Sequence, residues 1–221
     1  MSLQSEVHEP TPPQFGPPRS ALPRPPHRWL PIRALADRHR TQVREHLLAL
    51  SAQDRALRFG YLASDETISH YADQLDFEAD EIFGIFDRRL RLVGLAHLAF
   101  GPRVALAMDS AEFGVSVLPS LRGRGAGSLL FEHAVTLARN RGVDTLLIHL
   151  ARDNGAMLAI VRRAHAKLHF EGMEAMATMP LPAYTLGSQI KELLNQQAAE
   201  LDYRLKLQVL RLDTPRTGGP E

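Results

Sequence analysis

Between Phe113 and Asn140 the chain passes from an apolar run, FGVSVL, through Pro119 and into Arg122-Gly123-Arg124-Gly125-Ala126-Gly127-Ser128, followed by LLFEHAVTLARN. Leu129, Leu130, Ala134, Leu137 and Ala138 recur at helical spacing, so this glycine turn opens an amphipathic helix. Glycines at such a place let successive backbone N–H groups converge on one point. The unpaired first-turn amides and the helix dipole both favour negative charge there. The chemistry that follows is the binding of a phosphate-bearing ligand. Spacing narrows the choice of ligand. A Walker A loop ends in Gly-Lys-Ser/Thr, and this turn has no lysine. A dinucleotide fingerprint needs a third glycine three residues beyond the second, whereas Gly123, Gly125 and Gly127 are each two apart.

The same residues resemble motif A of the GNAT acetyltransferases, Q/R-x-x-G-x-G/A, which Arg122, Gly125 and Gly127 fill, preceded by the V-x-P of that family at Val117 and Pro119. The resemblance implies that the turn holds the pyrophosphate of acetyl-CoA. It implies contacts from Arg122, Gly123, Arg124, Gly125, Ala126, Gly127 and Ser128, with Arg124 acting more through its backbone than through its side chain. A second stretch, Leu50-Ser51 with Arg55, Arg58 and Phe59, resembles the LS-x-x-(S/D)-R-x-x-RF segment of GNAT domains of the bacterial protein-lysine acetyltransferase type. There it precedes an acidic helix and would wall the acceptor side of the cleft.

Acetyl transfer to an amine requires a proton to leave the ammonium group, donors where the oxyanion forms, and an acid for the departing thiolate. Glu112 opens the strand that leads into the turn, next to apolar neighbours expected to raise its pKa, and is the candidate base. The position matches the glutamate of protein-acetylating members of the family. A solvated glutamate at a strand end is the competing reading. The resemblance assigns the oxyanion role to amides of Val115, Ser116 and Val117, exposed by a strand bulge. It also places Asn154 against the cofactor, a position where an asparagine equally suits a helix N-cap. The family's tyrosine acid, seven residues beyond that asparagine, is missing: counting from Asn154 reaches Val161. Counting back from His169-Phe170 reaches His165 instead, at the cost of an extra helical turn. His149 and His165 are alternative acids or bases, two of ten histidines in the chain. His165 and His169 stand four apart without a third ligand, and no metal is expected.

The elements that must hold these residues follow from periodicity and punctuation. Trp29–Leu35, interrupted by Pro31, reads as an edge strand. Helices are expected over Asp37–Leu50, from the Ser51 cap through Arg58, and from Asp65, where Ile68, Tyr71, Ala72 and Leu75 form a buried stripe. Glu81–Asp87 and Leu90–Phe100 read as a hairpin about Asp87-Arg88-Arg89, and 101–110 as a loop or a further extended piece. A helix over Gly125–Asn140 stops at Gly142, and the strand Asp144–Leu150 follows. Strand, helix and strand in this order form a crossover, which makes the two strands parallel neighbours. Helix Asn154–Ala164 and a hairpin, Ala166–Gly172 with Glu174–Leu181, close the domain. The fold class is therefore α/β (α+β). It is a GNAT-like twisted mixed sheet of about six to seven strands with a splayed parallel pair, flanked by helices.

Residues 1–28 hold most of the prolines and read as a disordered tail; 29–182 form the acetyltransferase domain, 183–210 a helical extension and 211–221 a disordered end. The helix over 188–207 packs on its own domain or on a second copy, so monomer and homodimer both stay open. The absence of cysteine excludes a thiolate metal site and a cysteinyl-acetyl intermediate, so transfer would be direct. A net charge of +1 over 221 residues argues against bulk nucleic-acid binding, and no apolar run is long enough for a membrane span or a signal peptide. The cytoplasm is the default location. The reading is an acetyl-CoA-dependent N-acetyltransferase acting on a primary amine, either a protein lysine or a small molecule. The rivals are an acyl-CoA-binding sensor without turnover, favoured by the missing tyrosine, and a nucleotide-binding domain.

Overall fold

The structure, a computed structural model, describes residues 30–100, 110–181, 197, 198, 200–204 and 206. The expectations for the proline-rich tail, for 101–109 and for the C-terminal end fall outside the described residues. Seven strands form one mixed sheet in the order β1 (Arg33–Ala34), β2 (Glu81–Phe86), β3 (Leu92–Phe100), β4 (Ser110–Val117), β5 (Thr145–Ala151), β7 (Glu174–Pro180) and β6 (Lys167–Glu171). The first strand is shorter than expected, two residues against β2, as suits a proline-interrupted edge. The pair β4–β5 is parallel and every other neighbouring pair is antiparallel.

Side chains alternate across the sheet and build two cores. On one face Ala111 and Phe113 of β4 and Leu146 and Ile148 of β5 pack against the helices α4 (Ala126–Asn140) and α5 (Gly155–Arg163), with Phe113 meeting Phe131 edge-on at 5.5 Å. On the other face Ile82, Phe86, Leu92 and Leu95 pack against α1 (Arg40–Leu48) and α3 (Asp65–Asp73). In sequence the two are joined through α2 (Ala52–Phe59), capped by Ser51, whose hydroxyl accepts the Asp54 N–H. Arg55 ties the three together by donating to the carbonyls of Leu48, Leu50 and Ala63 and pairing with Asp65 at 2.6 Å.

The crossover from β4 through α4 to β5 has the expected parallel sense, but the strands stay together for only three residue pairs, from Ser110–Thr145 to Glu112–Leu147. Beyond Glu112, β4 remains paired to β3 and β5 remains paired to β7, so a gap opens between them. The described helical residues of the C-terminal segment lie on the same chain. Tyr203 stacks under the Arg33 guanidinium at 3.4 Å and meets Phe86, and Glu200 pairs with Arg33 at 2.8 Å.

Candidate active site

The gap between β4 and β5 continues into a cleft of about 1090 Å³. Its floor is Glu112 to Val117 on one side and Ile148 to Ala151 on the other. The glycine turn and α5 close one end, and α2 with Tyr71 walls the opposite face.

At the turn, Gly123 and Gly125 take φ of +73° and +76°, the left-handed region open to glycine at little cost, and Gly125 is the N-cap of α4. The first helical bond runs from the Leu129 N–H to the Gly125 carbonyl. The amides of Ala126, Gly127 and Ser128 therefore have no acceptor within the helix, and all three residues line this end of the cleft. These are the residues the sequence singled out. Arg122 and Arg124 behave differently from one another. The Arg122 guanidinium donates to the Val117 carbonyl at 3.0 Å and pairs with Asp54 of α2 at 2.6 Å, clamping the turn to α2. Burial pushes the Asp54 carboxyl up, but hydrogen bonds from Arg122 and Ser51 outweigh it and hold the group below the usual aspartate range. Arg124 is exposed, and its side chain is not among those lining the cleft.

No bulge interrupts β4: its register with β3 runs unbroken from Ala111–Phe100 to Val117–Gly94. The free amides arise instead from the splay. The Leu118 N–H donates to the Val93 carbonyl at 2.9 Å, and alternation along the ladder turns the amides of Gly114 and Ser116 toward β3 and those of Val115 and Val117 into the gap. Ser116 thus differs from its two neighbours. Its hydroxyl, buried on the α1 face, lies 2.8 Å from Nε2 of His46, whose Nδ1 donates to the Leu92 carbonyl at 2.9 Å. Burial depresses His46 to about 4, so the ring is neutral and Ser116 is the donor.

Glu112 sits where the parallel pair ends, on the face turned toward α2 and α3, and lines the cleft. It is exposed, not enclosed by the apolar neighbours that the sequence put beside it, because its side chain points away from the core that holds Ala111 and Phe113. Asn154 caps α5, its Oδ1 accepting the Met157 N–H at 3.0 Å, and also lines the cleft. Val161 is fully buried against the sheet, so no hydroxyl reaches the cleft from that helical position. His165 follows α5 with φ of +57°, while His169 lies on β6, and His149 lines the cleft from β5.

The wall formed by α2 and Tyr71 carries a chain of polar contacts that begins at Arg58. Arg58 lays its guanidinium on the bare Cα of Gly114: a Cβ there would lie 2.5 Å from Cζ. Its Nη2 donates to the Tyr71 hydroxyl at 2.9 Å, and Tyr71 meets Nδ1 of His97 at 2.7 Å. His97 pairs through Nε2 with Asp80 at 2.9 Å, and the other oxygen of Asp80 accepts the Phe100 N–H at 3.0 Å. Tyr71, read from helical spacing as part of a buried stripe, is only partly buried and lines the cleft. The visible signals were a histidine inside the apolar strand LVGLAHLAF and an aspartate just before EIFGIF.

The architecture is thus a mixed sheet with one short parallel pair, splayed beside a glycine turn that starts a helix. The family model described as "Acetyltransferase (GNAT) family" matches residues 48–170, and the chain belongs to that family as a GNAT-type acetyltransferase. Similar solved structures share the fold. The GNAT domain of S. lividans PAT aligns with TM-score 0.57 at 18% identity, covering 68% of this chain and 89% of that one. An N-acetyltransferase from Staphylococcus aureus aligns with TM-score 0.51 at 19% identity, covering 68% and 98%. The ribosomal-protein-S18-alanine N-acetyltransferase from Escherichia coli aligns with TM-score 0.52 at 17% identity, covering 70% and 96%. No curated protein matches the sequence. Among the described residues no helix is long and apolar enough to cross a membrane, and no three His, Asp or Glu side chains are grouped to hold a metal ion.

Proposed function

We propose that this chain transfers an acetyl group from acetyl-CoA directly to a primary amine, within a complex that holds both substrates. The observation that carries the reading is the gap that opens at Glu112–Leu147, with free amides at both places where the cosubstrate needs them. The first-turn amides of α4, with Gly123 and Gly125 bare beside them, fit a pyrophosphate, since nothing lies within 4 Å of where either Cβ would stand. The amides of Val115 and Val117 face the gap and would both align the thioester arm and donate to its oxyanion. Asn154 lines the same cleft while capping α5, so its cap role leaves its amide nitrogen available to the cosubstrate. Arg122 serves by holding the turn, not by a free guanidinium.

Glu112, at the exposed edge of the gap, attracts the acceptor's ammonium group and takes its proton, which then passes to solvent. The acceptor is a protein lysine or a small amine. The resemblance of 50–59 to protein-lysine acetyltransferase domains supports the first, as does an open cleft walled by α2. The absence of cysteine supports direct transfer. A second reading, an acyl-CoA sensor without turnover, draws on the valine at 161, where the family's tyrosine acid is missing.

Calorimetry with acetyl-CoA, followed by CoA release with lysine peptides and a panel of amines, tests both. Acceptor-dependent CoA release is expected, and Glu112→Gln should lower turnover by about 10²-fold or more with little change in acetyl-CoA affinity. Binding without acceptor-dependent release would leave the sensor reading, and equal loss of affinity and turnover would remove Glu112 from the base role.

A further inference from the structure

With valine at 161 that position of α5 offers the departing sulfur no proton donor, and the opposite wall of the cleft carries a hydroxyl that no role yet uses. Tyr71 and Arg58 stand over the β3–β4 pair at His97 and Gly114, which are register partners. Glu112 projects from the same face of β4, two residues before Gly114. Tyr71 and Glu112 therefore stand on the same side of the cleft that both line.

The direction of each hydrogen bond follows from the donor inventory. A carboxylate only accepts, so Nε2 of His97 carries the hydrogen that Asp80 receives. In the neutral ring Nδ1 is then an acceptor, and the Tyr71 O–H donates to it. The phenolic oxygen in turn accepts from Arg58, whose cation has no carboxylate partner among the described residues and whose buried Nε has no partner either. Arg58 reaches this place because Gly114 has no side chain. A phenol whose proton leans on an imidazole, backed by an aspartate and faced by a guanidinium, is arranged to lose that proton and regain it. The side chains of Asp80 and His97 are 5% and 13% exposed, which keeps the couple dry.

We propose that Tyr71 is the proton-shuttling residue of this acetyltransferase, with His97 as its proton store and Asp80 and Arg58 as positioning residues. The inference rests on the acetyl-transfer reading given above. Glu112 accounts for the first proton, the one lost from the ammonium group before attack. On attack, the C–N bond forms and the nitrogen carries one proton too many. Tyr71 accepts that proton as its own moves to Nδ1 of His97, and the imidazolium is stabilised by Asp80. The C–S bond then breaks, and the sulfur takes the proton that Tyr71 passes back from His97. Nitrogen and sulfur hang on the same carbon at that moment, so one hydroxyl can address both. The products are the amide and the free thiol, with Tyr71 and His97 restored and no outside reagent consumed.

Single-turnover CoA release, acetyl-CoA affinity by calorimetry, and the ¹⁵N NMR tautomer of His97 in the ligand-free protein test this together. Tyr71→Phe should slow the single-turnover step by about 10²–10⁴-fold while leaving acetyl-CoA affinity unchanged. Asp80→Asn keeps the shape and removes the charge facing the imidazolium, so it should slow the same step by about 10²-fold or more without loss of binding. The ligand-free wild type should show hydrogen on Nε2 and a hydrogen-bonded, unprotonated Nδ1 that shifts in Tyr71→Phe. An undiminished single-turnover rate in either variant, or hydrogen on Nδ1 with Nε2 bare, would overturn the shuttle. A wild type that binds acetyl-CoA yet releases no CoA with any acceptor would instead refute the acetyl-transfer reading on which it rests.

Discussion

Acidification should unfold this domain through its buried histidines well before its carboxylates are protonated. Burial holds His46 and His133 at about 4, and burial with the nearby charges of Arg33 and Arg38 does the same to His39, against an ordinary value of 6.5. A histidine whose folded pKa lies below its unfolded one takes up a proton on unfolding. Its contribution is complete above pH 6.5 and is lost as pH falls toward 4. For His46, fully enclosed between α1, the Leu92 carbonyl and Ser116, the gap corresponds to a contribution of order 3 kcal/mol at neutral pH. That is a large part of the stability of an ordinary domain. Asp54 and Asp87 are held below the usual range, so their contribution is lost only lower, as pH falls below 3.8 toward their folded values. Urea titrations in steps from neutral pH down to about 4 measure the slope of unfolding free energy against pH, which counts the protons taken up. Between pH 6 and 5 the uptake should approach three protons, and it should fall by about one in His46→Gln, a variant already less stable at neutral pH. A flat profile across that interval, or a slope that His46→Gln leaves intact, would refute the reasoning.

Two glycine substitutions separate packing from chemistry. In Gly84→Ala the new Cβ would stand 2.5 Å from the Gly94 carbonyl oxygen, which is backbone and cannot swing away, so the β2–β3 ladder must shift. Thermal or urea denaturation should show a loss of about 1–3 kcal/mol. In Gly114→Ala the colliding group is the flexible end of Arg58, so stability should change by less than about 1 kcal/mol. Turnover should nevertheless drop, because Arg58 is pushed off the Tyr71 hydroxyl. Denaturation and CoA-release assays on the same preparation check the contrast, and full activity in Gly114→Ala would show that the seat of Arg58 is irrelevant.

Local signals carried the elements and the cofactor end of the cleft. Helical spacing from Leu129 to Ala138 and the run of glycines before it were enough to place α4 and its N-terminal amides, because both depend on neighbours in sequence. The parallel sense of β4 and β5 followed from a crossover helix of that length. The hairpin of β2 and β3, the Ser51 cap and the Asn154 cap were legible for the same reason, and Asn154 keeps its expected place beside the cleft.

What depended on packing across distant segments was not legible. That Arg122 clamps Asp54 rather than standing free, that Ser116 turns its hydroxyl to His46, and that the free amides of β4 come from a splay and not a bulge are facts of tertiary contact. The chain from Arg58 through Tyr71 and His97 to Asp80 joins α2, α3, β3 and the turn before β2, segments far apart in sequence. Residue types along one strand or helix announce which face is apolar. They do not announce which polar side chains will be brought within hydrogen-bond distance when two helices close over a sheet. The sequence alone therefore determined a glycine turn that starts a helix on an α/β sheet. The sheet register and the packing of α2 and α3 decided which hydroxyl and which carboxylate stand over the place where the acyl group would lie.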